Sequence, residues 1–366
     1  MTSTRVNRRD HVLVVAGLWI VASVNLNVKV AASYEPRHWG SYYASFAATL
    51  SDLSPQISFR WFGPWLAHHL GFASAGSWLM FLYLCFMVAI ALWYWLAFRL
   101  TRHLVFSIVV ALIPVASTSG WYGMYAAGYP DWLVLACLTA GLVVRSTGWM
   151  LLFAVVAAWT HERAFFVLLF LPLLRFWLHV QRSTWSIAWQ YVGLAGVLTS
   201  YFFLRPVLTP LPVAEHAFPL RFYVGELLRG HSRYAPQSLD LQHVLLAGYE
   251  GYKALWLVYV GSLVALVATL RNSNSVVLGG GLVMLSLVVI GQLVIAVDSV
   301  RVIDFLLFPL ITAAICCFET MRDKAGQRWL LGALITALII NQLLPVRYIG
   351  QNMAYPVHSR IESGLF

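Results

Sequence analysis

Charge is what this chain lacks. Of 366 residues, 10% are Asp, Glu, Lys or Arg, where soluble domains carry roughly 25%. Hydrophobic residues make up 60% and the mean hydropathy is +0.75. This excludes a water-soluble globular protein and predicts a polytopic membrane protein. The apolar runs are continuous rather than alternating, which excludes a barrel and leaves an all-α bundle. Acids are scarcer than bases, 14 against 24, for a net charge of +10. In so apolar a chain the surplus reads as loop arginine facing membrane surfaces, and it calls for no nucleic acid. Only four cysteines occur, Cys85, Cys137, Cys316 and Cys317, all inside apolar runs. Without metal-ligand spacing they read as small core residues with no disulfide. The motifs GxxxxGK[ST], HExxH, GxSxG and CxxC are missing. No histidine sits deep in a span, which weakens an intramembrane acyltransferase. No mid-membrane proton relay and no paired broken helices are legible, which weakens a secondary transporter. No fixed-period repeat or soluble domain is visible, so 1–366 reads as one integral membrane domain.

A helix needs roughly 20 residues to cross the hydrocarbon core. Eleven apolar segments qualify as spans, at 11–31, 77–98, 103–118, 130–144, 147–160, 164–179, 185–204, 253–270, 277–297, 302–318 and 329–345. Several are short and must cross a thinned region or end below the surface in a protein-lined cavity. The first segment follows the basic stretch RVNRRD and reads as an uncleaved span, although V-A-A at 30–32 resembles a cleavage site. The stretch AWTHERAFFVLLFLPLL, 158–174, is the difficult one, because His161, Glu162 and Arg163 interrupt about thirty apolar residues. One long span would bury them in lipid; two short spans would place them in a turn. The positive-inside rule decides. With the N-terminus in the cytoplasm, two spans put Arg5, Arg8, Arg9, Arg99, Arg102, Arg145, Arg175, Arg182, Arg271, Arg322, Lys324 and Arg328 inside. A single span would throw Arg271 and the 322–328 cluster outside. The triplet therefore belongs to an outer turn, and all acids but Asp10, Glu319 and Asp323 fall on the outer face.

Five outer stretches carry candidate chemistry. In SYEPRHWGSYYASFAATLSD, 33–52, Glu35 precedes Trp39, Tyr42, Tyr43, Phe46 and Leu50 at near-helical spacing, which suits an amphipathic surface helix on a first outer loop, 32–76. Glu35 reads either as a general base at the lipid–water boundary or as a helix N-terminal charge. In ISFRWFGPWLAHHLG, 57–71, Arg60 offers the planar fork that binds phosphate, or is an interfacial arginine in an aromatic belt. In GYPDWLVL, 128–135, Asp131 stands at a helix start, as a cap or as a ligand of sugar hydroxyls or a cation. In the triplet, His161 lies in the turn, Glu162 is placed to orient a substrate hydroxyl or act as base, and Arg163 to bind phosphate; the alternative is a local ion pair closing a helical hairpin. In VDSVRVIDFLLFP, 297–309, Asp298, Arg301 and Asp304 form an i, i+3, i+6 ladder that aims Arg301 into an outer cavity or neutralises it. A long outer loop, 205–252, is suited to capping that cavity.

The pieces SYEPRHWGSYYASFA, FRWFGPWLAHHL, GYPDWLVL, HERAFFVLLFLPLL and DSVRVIDFLLFPL, in this layout, resemble the GT-C class of membrane glycosyltransferases. The resemblance implies a GT-C-like fold with an outward-facing site in a bacterial inner (cytoplasmic) membrane. It implies transfer of a hexosyl or pentosyl group from a polyprenyl-phosphate donor to a glycan, lipid or protein acceptor, with inversion. Glu35 matches the first-loop acid that activates the acceptor, with Glu162 as the other acid. Arg60, Arg163 and Arg301 become candidates for the donor phosphate, and Asp131, His161, Asp298 and Asp304 for the rest of the substrate site. No DxD is present; no cofactor is required by a motif, and a divalent cation is left open. A polyprenyl-linked saccharide transporter and an O-antigen-type polymerase are the alternatives.

Overall fold

The computed structural model describes residues 7–29, 39–51, 60–125, 128–178, 180, 184–208, 241–269, 273–291, 304–321, 323–344, 347–349 and 354–356. In chain order the helices are α1 Arg8–Lys29, α2 Trp39–Thr49, α3 Phe62–His69, α4 Ala75–Thr101, α5 Leu104–Ala116, α6 Thr118–Tyr125, α7 Asp131–Val143 and α8 Thr147–Thr160. Then come α9 Ala164–Leu168, α10 Leu171–Trp177 and α11 Thr184–Thr199, which runs on through a π-helical turn, Ser200–Leu204, into α12 Arg205–Leu208. The C-terminal third holds α13 Leu241–Tyr252, α14 Leu255–Thr269, α15 Ser273–Gly291, a 3₁₀ turn Asp304–Leu306, α16 Leu307–Thr320 and α17 Lys324–Leu343. Two short antiparallel strands, β1 Arg347–Ile349 and β2 Ala354–Pro356, pair with Tyr348 opposite Tyr355.

Local chemistry sets these boundaries. Ser74 and Ser77 form a reciprocal capping box at the start of α4, and Arg102 ends that helix in the left-handed region. His103, Ser146 and Asp323 each accept a backbone N–H as the N-caps of α5, α8 and α17. The expected span at 164–179 is two helices, α9 and α10, separated at Leu169–Phe170. Pro172 has no N–H to give the Leu168 carbonyl, so one continuous helix is blocked there. The expected span at 103–118 stops at Ala116, and α6 follows as a helix of its own.

α4 is the axis, packed by α1, α2, α5, α7 and α16. α7 is buried from Trp132 to Val143 and α16 from Leu307 to Phe318, as expected of helices apolar on every side. The outer helices turn large apolar side chains outward instead: Val12, Leu13 and Ile20 on α1, Trp185 and Val192 on α11, Leu257 and Val264 on α14. Such faces are stable only where lipid covers them. Among the described residues three helical stretches, Arg8–Asn27, Ala75–Thr101 and Trp185–Leu204, are long and apolar enough to cross a membrane, and five more apolar helices are shorter. Among the described residues the chain is helical apart from the paired strands, with the lipid-facing surfaces of a membrane protein. The four cysteines are free thiols.

The short helices fix the depth of the site. The Arg99 guanidinium reaches the Val143 carbonyl at 3.4 Å, so α7 ends level with the end of α4. At its other end Trp132 stacks on Phe86, ring centroids 4.7 Å apart. Phe86 lies roughly 16 Å along α4 from Ala75 at 1.5 Å per residue. α7 and its antiparallel neighbour α8 therefore stop partway along α4, and α2 and α3 fill the remaining depth.

Candidate functional site

α3 sits over the ends of α7 and α8. Gly63 permits the contact: a Cβ there would lie 2.8 Å from Thr160 Cγ2 and 3.3 Å from Leu133 Cδ2. Docking α3 this closely delivers Arg60, just before the helix, to the turn that follows α8. The connection before α7 is equally tight. Gly128 has φ +100 and passes against the Gly40 carbonyl of α2, where a Cβ would fall 2.4 Å from the oxygen. Trp78 Nε1 donates to the Gly128 carbonyl at 3.0 Å and ties this connection to α4.

His161, Glu162 and Arg163 form the non-helical turn between α8 and α9, but water is not their solvent. They are 0%, 2% and 8% exposed. Glu162 does not pair with Arg163. Arg60 Nη2 donates to Glu162 Oε1 at 2.5 Å and Arg60 Nε to Oε2 at 3.2 Å, a two-pronged pair across 102 residues of sequence. Burial alone would push the Glu162 carboxyl up; the Arg60 charge and its hydrogen bonds outweigh that and hold it well below the usual carboxylate range. His161 Nδ1 accepts the Arg163 backbone N–H at 3.2 Å, which assigns the ring proton to Nε2, and lies 3.4 Å from Glu162 Oε2. Arg163 completes the turn with its Nη1 buried and without a hydrogen-bond partner among the described residues. The Thr160 hydroxyl beside it is buried in the same state. Arg60 and Glu162 cancel. Among the described residues Arg163 then leaves one buried positive charge over, a costly arrangement without an anion to meet it.

Asp131 is the first residue of α7, two positions before the Leu133 that touches Gly63, so it stands at this same end of the bundle. Its carboxylate also favours the helix dipole there. Asp304 opens the 3₁₀ turn before α16, and its carbonyl accepts the Tyr252 hydroxyl at 3.0 Å. This places it with a second polar cluster that sequence reasoning missed. Glu250 and Lys253, both 6% exposed, pair at 3.5 Å, and Lys253 has φ +44. The buried Asn341 of α17 donates to the Tyr252 and Ala116 carbonyls at 2.9 and 3.2 Å and accepts from the Ala254 N–H at 2.9 Å. The i, i+3 spacing of Glu250 and Lys253 was the available signal, but it reads as an ordinary exposed helix pair. Glu35, Asp298, Arg301 and most of the 205–252 loop lie outside the described residues. Among the described residues no three His, Cys, Asp or Glu side chains come together as a metal site.

No protein-family model and no curated protein matches the sequence. The structure does find a likeness. The crystal structure of ArnT from Cupriavidus metallidurans bound to undecaprenyl phosphate superposes with a TM-score of 0.50 at 14% identity, over 90% of this chain. The fold is GT-C-like. This chain spans 63% of the length of that ArnT chain. At 14% identity the likeness carries the GT-C-like architecture and not the individual site residues, which rest on the geometry above.

Proposed function

We propose that this protein is an integral-membrane glycosyltransferase that moves a sugar from a polyprenyl-phosphate donor to a lipid, glycan or protein acceptor on the outer face of the cytoplasmic membrane. The observation that carries this reading is the buried Arg163, met by no acid among the described residues, in a GT-C-like fold beside an Arg60 held rigid by Glu162. A phosphate meets Arg163 with the charge it lacks, and an arginine fork binds phosphate in a fixed geometry. In the transfer, the acceptor oxygen bonds to the sugar's anomeric carbon as the bond from that carbon to the phosphate oxygen breaks. The polyprenyl phosphate leaves with the bonding electrons, and a carboxylate takes the acceptor proton. Arginines aimed at the leaving phosphate stabilise the charge that develops there. Single displacement inverts the anomeric centre.

Two acids compete for the role of base, and in this reading it goes to Glu35 because Glu162 is already engaged. Glu162 has both oxygens engaged by Arg60 and a depressed pKa, which makes it a poor proton acceptor. Its part in this reading is to orient Arg60. Asp131 and His161, at this end of the bundle, are proposed to contact the sugar and phosphate, and Asp298, Arg301 and Asp304 to contact the rest of the substrate.

The test is native mass spectrometry of the detergent-purified chain. Polyprenyl phosphate or its glycosylated form is expected to be retained, and Arg163→Gln to lose it. The mass of the retained donor then supplies the substrate for a turnover assay, in which Glu35→Gln is expected to abolish transfer while keeping the donor. Retention of a diphosphate-linked oligosaccharide, or no turnover of the retained donor by the wild type, would overturn the reading in favour of a polymerase or a transporter, and turnover unaffected by Glu35→Gln would overturn Glu35 as the base.

A further inference from the structure

Arginines also gather at the opposite end of α7, roughly 20 Å from the Arg60–Glu162 pair at 1.5 Å per residue. Three come from separate parts of the chain. Arg175 of α10 is fully buried; its Nη1 donates to the Gly141 carbonyl and its Nη2 to the Arg145 carbonyl at 3.1 Å. Arg99, from the last turn of α4, reaches the Val143 carbonyl. Arg145 itself lies in the turn between α7 and α8. Arg99 is close enough to both Arg145 and Arg175 for the charges to repel. None of the three is paired with an acid among the described residues. The Nε of Arg175 is buried without a hydrogen-bond partner among the described residues.

Helix capping explains part of this. The last carbonyls of α7 need donors, and the negative end of its dipole attracts cations. That dipole amounts to about half an elementary charge. It cannot balance three guanidinium groups, one of them buried. The exposed Trp149, one turn along α8, and the exposed Phe176, next to Arg175, mark this end as a lipid boundary as well.

We infer that Arg99, Arg145 and Arg175 bind a phosphate group at the end of α7, carried by an anionic phospholipid headgroup. Arg175 forms the floor, fixed by its two carbonyls, and Arg99 and Arg145 close on the phosphate from the sides. The site is independent of the proposed transferase chemistry at the other end of the helix.

The experiment uses the full chain in detergent, titrated with phosphatidylglycerol or phosphatidylcholine and read by native mass spectrometry. Wild type is expected to hold phosphatidylglycerol in preference to phosphatidylcholine. Arg145→Gln is expected to weaken that binding about fivefold, the equivalent of about 1 kcal/mol per basic residue. Arg99→Gln with Arg145→Gln is expected to weaken it about 25-fold, and Arg328→Gln, outside the cluster, to leave it unchanged. Arg175 is kept intact, since removing it strands the α7 carbonyls and threatens folding. A double variant that binds phosphatidylglycerol as wild type does, or a wild type that holds phosphatidylcholine equally well, overturns the site. If inorganic phosphate displaces the lipid at equal concentration, the site belongs to a free phosphate and the headgroup is overturned. Retained polyprenyl phosphate is read in the same spectra and answers to Arg163, so the two proposals fail separately.

Discussion

Glu162 and Arg60 show how a residue's meaning changes when its partner is distant. In the sequence Glu162 has Arg163 as its neighbour, and a local ion pair is the natural reading. The partner is instead 102 residues away, brought in by a helix the triplet itself does not encode. Breaking such a buried pair is expensive because one charge is left behind. Glu162→Gln is expected to destabilise the detergent-solubilised protein by about 3–5 kcal/mol at neutral pH, measured by thermal unfolding. Arg60→Met combined with Glu162→Leu should recover much of that loss, since it removes both charges. The pH dependence has a definite sign. A carboxyl whose pKa is depressed in the folded state stabilises fully above its unfolded value, near 4.3 for an ordinary glutamate, and loses that contribution as pH falls through the lower folded value. The gap between wild type and Glu162→Gln should therefore stay constant from pH 7 to about 5 and shrink only under stronger acid. A gap that vanishes already near pH 6 would contradict a carboxylate held by Arg60.

The elements explain which parts of the fold were legible. Spans at 77–98, 130–144, 147–160, 253–270 and 329–345 correspond to α4, α7, α8, α14 and α17, because long apolar runs ended by Ser, Pro or charged residues leave little choice. The polar interruption at 161–163 was placed correctly in a turn, by counting arginines rather than by local pattern. Breaks inside apolar runs were not legible. Pro172 splits α9 from α10, and α5 gives way to α6 at Ser117, yet neither break changes the hydropathy. Burial of the turn could not be read either, because it depends on α3 folding back, and nothing in FGPWLAHH names α7 and α8 as its seat. The glycine in that segment does the seating. Gly63→Ala puts a methyl group against Thr160 and Leu133 and should cost about 1–3 kcal/mol by lifting α3. It should also be non-additive with Glu162→Gln, since lifting α3 already pulls Arg60 away; a double-mutant cycle in thermal unfolding measures this. Strict additivity would mean that α3 docking and the ion pair are independent.

At the scale of the whole molecule, charge is sorted by the ends of one short helix. One end of α7 meets the Arg60–Glu162 pair and Arg163. The other meets three arginines and, among the described residues, no paired acid. A membrane gives such an asymmetry its cause, because short loops rich in arginine stay on the cytoplasmic side while acids are free to cross. We propose on this rule that the two ends face two compartments, which yields a prediction about topology. Cysteine placed at Arg8 or Lys324 should react with a membrane-impermeant maleimide only after cells are opened, and cysteine placed at His69, the exposed last residue of α3, should react on intact cells. The native thiols interfere little, since Cys137, Cys316 and Cys317 are buried and Cys85 is half-buried. The reverse pattern would put the Arg163 turn on the cytoplasmic side, and the proposed reaction would have to be redrawn on that face. Labelling of Arg8 and Lys324 positions from opposite sides would instead mean an odd number of inversions between α1 and α17, and α9 and α10 would then have to be read as something other than one crossing.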